Sequence, residues 1–172
     1  MIAIRPAEDH DLGDILRIYN QAIENTTAAF EYRPHTLEMR RDWFGAKQAA
    51  SLPVHAAVES GAVVGFASYG PFRAWPAYKY SVELSVYVDE HSRGRGIGTA
   101  LVQSVLTSAR EQDLHAVMAG ITSDNVVSLR LHEKLGFVEV AHIPEVGYKF
   151  GRWLDLKLLQ ILLDGPSKPV ES

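Results

Sequence analysis

The sequence predicts one α/β (α+β) domain built on a mixed sheet. Two observations carry that prediction. Short strand-like runs are interleaved with helical ones rather than gathered into separate halves. The middle of the chain reads strand, glycine turn, helix, strand, a unit that demands a parallel pair, while the neighbouring runs are joined by turns short enough for antiparallel pairing. A chain of 172 residues suits a single domain with a real core. Residues 1–163 are read as that domain and residues 164–172, "DGPSKPVES" with its preceding context ended, as a flexible tail.

Each element follows from local pattern. Met1 to Arg5 reads as a short strand. From Asp11 to Ile23, Leu12, Ile15, Leu16, Tyr19 and Ile23 recur at helical spacing, with Asp9 or Asp11 available as a cap. Asn25 to Pro34 breaks the period and is read as loop; Leu37 to Gln48 is a second helix. Val54 to Val58 and Val63 to Tyr69 read as a hairpin turning at Glu59-Ser60-Gly61-Ala62. "GPFRAWPAY" then interrupts with two prolines, as exposed binding loops do. Val82 to Val88 alternates: Val82, Leu84, Val86 and Val88 face one way, Glu83, Ser85 and Tyr87 the other. Leu101, Val102, Val105, Leu106 and Ala109 form the next helical stripe. His115 to Ile121 is a strand, and Asn125 to Leu135 a helix stopped by Gly136. Phe137 to Ile143 and Trp153 to Leu163 are the last two strands.

Composition narrows the function. A net charge of −4 gives no electrostatic reason to expect a nucleic-acid binder. The absence of cysteine excludes disulfides, thiolate metal sites and a cysteine nucleophile, and suits a reducing compartment. Met1 to His10 carries Arg5, Glu8, Asp9 and His10, so it lacks the apolar stretch of a secretion signal, and no run is long enough to span a membrane. A cytoplasmic protein without a metal is expected.

The run "DEHSRGRGIGTAL" between the alternating strand and the next helix is the most unusual stretch. Gly94, Gly96 and Gly98 have the wrong spacing for a dinucleotide fingerprint, and no lysine follows to make a P-loop. The ingredients of anion binding remain: glycines that turn amides inward, a helix start, and Arg93 and Arg95 as charged donors. On spacing alone, a tight turn with solvated arginines explains it equally well.

Its neighbours separate the two readings. "RGRGIG", Arg93 to Gly98, resembles the R/Q-x-x-G-x-G/A signature of the GCN5-related N-acetyltransferases, placed after a long alternating strand and before an amphipathic helix. "NVVSLRLHEKLGF", Asn125 to Phe137, resembles that family's second motif, about thirty residues on. "YNQAIENTTAAFE", "YGPFRAWPAYKYSVELSVYVDEHSRGRGIG", "LHEKLGF" and "VGYKFGRWLDL" are similar to the phosphinothricin and methionine sulfoximine acetyltransferase branch, and the likeness runs to about Leu163. The resemblance implies a mostly antiparallel, twisted sheet flanked by helices, acetyl-CoA as donor, a homodimer, and direct transfer in a ternary complex to the α-amine of a small amino-acid-like acceptor. Two other readings stay open: acetylation of another small amine or a protein N-terminus, and an acetyl-CoA-binding regulator without catalysis.

That chemistry needs an acceptor amine stripped of its proton, a polarised carbonyl and a proton for the leaving thiolate. Glu83, on the polar side of its strand, is the candidate base, directly or through a water; the competing reading is a surface glutamate paired with Arg73 or Lys79. His132 is the second candidate. Asn125, Ser128 and His132 fall within about 60° on one helix face, next to an apolar stripe of Val127, Leu131 and Leu135. Most of the wider family has tyrosine where His132 stands, and a histidine either gives or takes a proton near neutrality. By the same resemblance, the backbone of Val86, Tyr87 and Val88 pairs with the pantetheine arm, and one of those amides polarises the thioester carbonyl. Arg93, Gly94, Arg95, Gly96, Ile97, Gly98 and Thr99 hold the pyrophosphate, and Asn125, Ser128 and Lys134 lie along the rest of the cofactor. Arg73 and Lys79 are the candidate cations for an acceptor carboxylate, with Phe30, Tyr32, Phe72 and Tyr78 as walls.

Overall fold

In the computed structural model, which describes residues 1–171, the alternating runs become seven strands of one open sheet. In chain order the elements are β1 (Ile2–Pro6), α1 (Leu12–Asn25), α2 (Leu37–Ala49), β2 (Val54–Glu59), β3 (Ala62–Pro71), β4 (Ser81–Val88), α3 (Ile97–Glu111), β5 (Ala116–Thr122), α4 (Val126–Lys134), β6 (Val138–Lys149) and β7 (Arg152–Leu162). The sheet order is β1-β2-β3-β4-β5-β7-β6. Five neighbouring pairs are antiparallel, and β4 with β5 is parallel. The mixed α+β architecture is as the sequence predicts.

Helices cover both faces. Leu101, Val102 and Val105 of α3 pack on one face with Val82 and Leu84 of β4 and Val117 of β5. Leu101 comes so close to β3 that a Cβ on Gly65 would lie 3.0 Å from its Cδ1. On the other face Ile15 and Ile18 of α1 and Phe44 of α2 meet Ala56, Val63 and Phe66. The Glu83-Ser85-Tyr87 side of β4 therefore does not face open solvent along its length. The Tyr87 ring lies 5.2 Å from both Tyr19 and Phe66. Alternation reads faces correctly but does not reveal that a second helical layer covers the polar one.

The termini of elements follow familiar chemistry. Thr36 Oγ1 accepts from the Met39 amide at 3.2 Å and opens α2. Ser60 and Gly61, both at positive φ, make the two-residue turn between β2 and β3, tighter than the four-residue turn read from sequence. β6 runs well past the predicted end at Ile143. It survives Pro144 because it is an edge strand and because its register slips between Ile143 and Gly147. Asp155 stitches that bulge: its Oδ1 accepts from the Glu145 amide at 2.9 Å, and its Oδ2 lies 2.8 Å from His142 Nε2. Phe150 and Gly151, again at positive φ, turn β6 into β7. Beyond β7, residues 164–171 have no regular structure, and the Val170 amide donates to the Tyr80 hydroxyl at 3.1 Å.

The feature that positions the site is a limit on pairing. β4 and β5 are bonded only from Ser81–Leu84 to Ala116–Ala119. Past that point Val86, Tyr87 and Val88 keep β3 as partner on one side, through Ala67, Phe66 and Gly65, and among the described residues have no strand on the other. Leu101, fully buried between α3 and the sheet, tests the layer that holds this geometry. Leu101→Ala is expected to lower stability by about 2–5 kcal/mol, read as a lower denaturant midpoint with an unchanged slope.

Candidate active site

A cavity of ≈ 290 Å³ opens where β4 and β5 part. β4 contributes Glu83, Ser85 and Tyr87; β5 contributes Gly120 to Thr122; the α1–α2 connection contributes Thr27, Ala28 and Phe30. Asn125, Ser128 and His132 enter from α4. Glu83 belongs to the sheet face shared with Tyr87, whereas α4 packs with α3 on the opposite face. The two candidate catalytic side chains reach one cavity because the strands between them have separated.

Glu83 is half-buried, not a surface group. Burial pushes its carboxyl above the ordinary carboxylate value, and the Arg73 guanidinium opposes the shift. Its Oε1 lies where Gly120 leaves room: a Cβ on Gly120 would sit 2.7 Å away. Gly120 was not singled out in sequence, although a glycine inside "AVMAGIT" is the signal of a close approach.

His132 is 1% exposed. The predicted stripe beside it is corrected at one point: Val127, in the first turn of α4, is 80% exposed, and the buried side chains of this helix are Leu129 and His132. His132 packs edge-on to Phe137 with ring centroids 5.1 Å apart, so it takes a place that pattern reading gives to an apolar residue. Its Nδ1 lies 2.8 Å from the Ser128 carbonyl. A carbonyl only accepts, so Nδ1 carries the hydrogen and the neutral ring leaves a lone pair on Nε2. Nε2 is buried and has no hydrogen-bond partner among the described residues. Burial lowers the ring's proton affinity, with the Ser128 carbonyl opposing. Asn125 caps the helix through Oδ1, which accepts from the Ser128 amide at 3.2 Å.

The glycine turn is built to present amides. Gly94 and Gly96 take φ of +75° and +79°, conformations that side-chain-bearing residues rarely adopt. Gly96 is the N-cap of α3 and offers no side chain to it; the first turn holds no acidic residue. The first bond of the helix is donated by Ala100 to the Gly96 carbonyl at 3.1 Å, so the amides of Ile97, Gly98 and Thr99 precede any intrahelical acceptor. Ile97 itself is a core side chain, which leaves only its backbone for binding. Gly98 lets α3 approach α4: a Cβ there would lie 2.9 Å from Leu131 Cδ1.

Several predicted residues stand apart from the cavity. Arg95 is committed to a bidentate pair with Glu59 at 2.8 and 2.6 Å. Arg93 Nε donates to the Val88 carbonyl at 3.4 Å. Lys134 is exposed at the far end of α4. Phe72, Arg73, Tyr78 and Lys79 cluster on the β3–β4 loop outside the cavity wall. There Phe72 meets Tyr78 at 5.7 Å, Arg73 lies 4.5 Å over Phe72, and Lys79 Nζ lies 5.1 Å over Tyr80. Thr27 and Thr122, both unpredicted, join hydroxyls at 2.8 Å across the cavity. Among the described residues no cluster of His, Asp and Glu has the arrangement of a metal site.

His132 should titrate below the ordinary histidine value of 6.5 when its ring signals are followed by NMR. The folded state prefers the neutral ring, so this residue's contribution to stability is present above 6.5 and is lost as pH falls below it. A midpoint at or above 6.5 contradicts the burial argument.

Residues 15–137 match the model of the acetyltransferase (GNAT) family. The chain is 44% identical over 163 residues to an L-methionine sulfoximine/L-methionine sulfone acetyltransferase of Pseudomonas paraeruginosa, covering 94% of this chain and 95% of the relative. It is 39% identical to a phosphinothricin N-acetyltransferase of Streptomyces coelicolor, covering 90% and 92% of the two chains. Among solved structures, a GNAT superfamily phosphinothricin acetyltransferase from Sinorhizobium meliloti, in complex with acetyl-CoA, superposes with a TM-score of 0.94 at 32% identity. That superposition covers 99% of this chain and 94% of the other. With the parted strands, the glycine turn and the family match in agreement, this chain belongs to the GNAT family of acetyltransferases.

Proposed function

We propose that this protein transfers an acetyl group from acetyl-CoA to the α-amine of a small amino-acid-like acceptor of the methionine sulfoximine or phosphinothricin kind. The observation that carries the reading is the convergence of Glu83 and of His132, whose Nε2 is unpartnered among the described residues, on the lining of one small cavity beside a strand edge that β5 leaves unpaired.

The residues present fit acetyl-CoA. The free edge of Val86, Tyr87 and Val88 has the hydrogen-bonding pattern to receive an extended amide-bearing arm. The amides from Gly94 to Thr99, at the positive end of α3 and with no acid in its first turn, suit a pyrophosphate. Arg93 is the nearby cation for that group; Arg95, tied to Glu59, supports the turn instead. Asn125 and Ser128 line the same cavity as Glu83 and His132. When bound, acetyl-CoA supplies the acetyl group as a thioester.

An α-amine is mostly protonated at neutral pH, with a pKa of about 8. Glu83 takes that proton, directly or through one water, and its raised pKa brings it closer to the amine's. His132, held by Ser128, carries the second proton position at Nε2: neutral and vacant at rest, it receives a proton and returns it to a departing group. Arg73, whose charge is felt at Glu83, is the proposed partner of the acceptor's carboxylate; Phe30 is the aromatic that lines the cavity itself, and Phe72, Tyr78 and Lys79 stand with Arg73 on the β3–β4 loop at its margin.

The same reading places the protein in the cytoplasm as a homodimer. Supporting this, Tyr148 and Trp153 pair at 5.0 Å on the β6–β7 hairpin and leave much of their surface exposed, next to exposed Tyr32 and Phe150. Among the described residues no helix is long and apolar enough to cross a membrane.

A thiol-release assay with acetyl-CoA and a panel of amino acids and small amines is the direct test. Release with methionine sulfoximine or phosphinothricin is expected; no release with any member leaves the regulator reading in place. Glu83→Gln is expected to lower kcat by at least ~10-fold while acetyl-CoA affinity, measured by calorimetry, stays unchanged. Because the base must be ionised and burial raises it, wild-type kcat should fall on acidification with a midpoint above 4.5. Arg73→Ala should raise the KM for the amino-acid acceptor and leave that for acetyl-CoA unaltered; equal KM values for the acceptor remove the carboxylate clamp.

A further inference from the structure

Lys149 lies near the end of β6 and is only 5% exposed. Its ammonium donates to three backbone carbonyls: Ile23 at 2.6 Å, Thr26 at 2.9 Å and Ala29 at 2.7 Å. Those contacts use all three of its hydrogens. Ile23 belongs to the last turn of α1, where the helix exposes unpaired carbonyls and carries its negative end. Thr26 is the residue on which α1 stops, and Ala29 is buried just before Phe30. One cation thus fixes the chain at three points, and the residues strung between and after them, Thr27, Ala28 and Phe30, form a wall of the cavity.

Gly147, two residues earlier on the same strand, seats the last of these. A Cβ there would lie 2.6 Å from Phe30 Cε2 and 3.0 Å from Cζ. The aromatic ring rests on bare backbone. The far side of the wall is tied by Thr27 to Thr122, and its continuation by the Tyr32 hydroxyl to the Tyr148 carbonyl at 2.8 Å. All three bonds of Lys149 fall on residues 23–29, far along the chain from the glycine turn.

We propose that Gly147 and Lys149 are positioning residues for acceptor binding: β6 sets where Thr27, Ala28 and Phe30 stand, and through them which amine the cavity accepts and how tightly. This rests on the reading that the cavity takes the acceptor amine. Lys149→Met keeps the length and apolar stem of the side chain and leaves three carbonyls without their donor. Gly147→Ala keeps the ammonium and displaces the Phe30 ring.

The test is steady-state kinetics with the acceptor that the wild-type protein uses best, joined to hydrogen exchange of the protein without substrate. In both variants the acceptor KM should rise by ~10-fold or more while the acetyl-CoA KM stays within about twofold. In Lys149→Met, exchange at the amides of residues 26–30 should quicken by ~10-fold or more and that of Ile97 to Thr99 should not change. An unchanged acceptor KM in both variants, or an equal rise in both KM values, overturns the proposal. If Lys149→Met does not fold, the Gly147→Ala kinetics decide. Should the wild-type protein acetylate nothing on the panel, that outcome counts against the acceptor class; the exchange result then decides whether Lys149 holds the wall, and unaltered exchange overturns it.

Discussion

The structure depends on the point at which β4 and β5 stop pairing. Parallel strands cannot be joined by a tight turn, so the chain must leave β4, cross the sheet as α3 and return in β5. The crossover needs a sharp exit, which Gly94 and Gly96 provide, and it deposits the start of α3 next to the strand edge it has just left. Had the ladder continued past Leu84 and Ala119, the backbone of Val86 to Val88 would be spent on its neighbour and the two sheet faces would be sealed from each other. Because it stops, a free edge, a ring of helix amides and a passage through the sheet appear at one place.

Electrostatics in that passage is set by burial more than by partners. Glu83 is raised by desolvation against the pull of Arg73, and His132 is lowered by desolvation against the Ser128 carbonyl. Both groups are biased toward their neutral forms, from opposite sides of their ordinary values. The carboxyl is moved up and the imidazole down, each by its own burial. Hydrogen bonding then fixes which ring atom of His132 is uncommitted: Nδ1 is held by the Ser128 carbonyl, and Nε2 is not held.

Much of this was legible in sequence, for identifiable reasons. The alternation of Val82 to Val88, the glycine turn at 94 and 96 and the helix beginning at Asn125 are local signals, each decided within a few residues, and the structure has all three. What local pattern missed depends on contacts distant in sequence. Arg95 looks like an anion ligand until Glu59 arrives from the β2–β3 hairpin. Lys149 falls between the two last strands read from sequence, with nothing local to mark it, and its role comes from the C-terminus of α1, which supplies three carbonyls. The sequence pattern ends β6 at Ile143, just before Pro144, and only the strand's place at the sheet edge tells that a proline is tolerated within it. His132 and Val127 exchanged their expected burial because the helix is too short for its apolar period to decide which side faces the protein.

The position of Pro144 has a further meaning for the protein in a crowded solution. An open sheet ends in two strands whose outer amides and carbonyls are available to any extended chain, which is how folded proteins come to template aggregates. Here the two outermost strands are β1 and β6, and each carries a proline: Pro6 at the end of the first, Pro144 within the second, followed at once by Glu145 at a φ of +50° and a slipped register. Neither margin offers an unbroken row of donors long enough for an intruding strand to zip along. The irregularity that hides β6 from a reading of the sequence is also what keeps the sheet at seven strands.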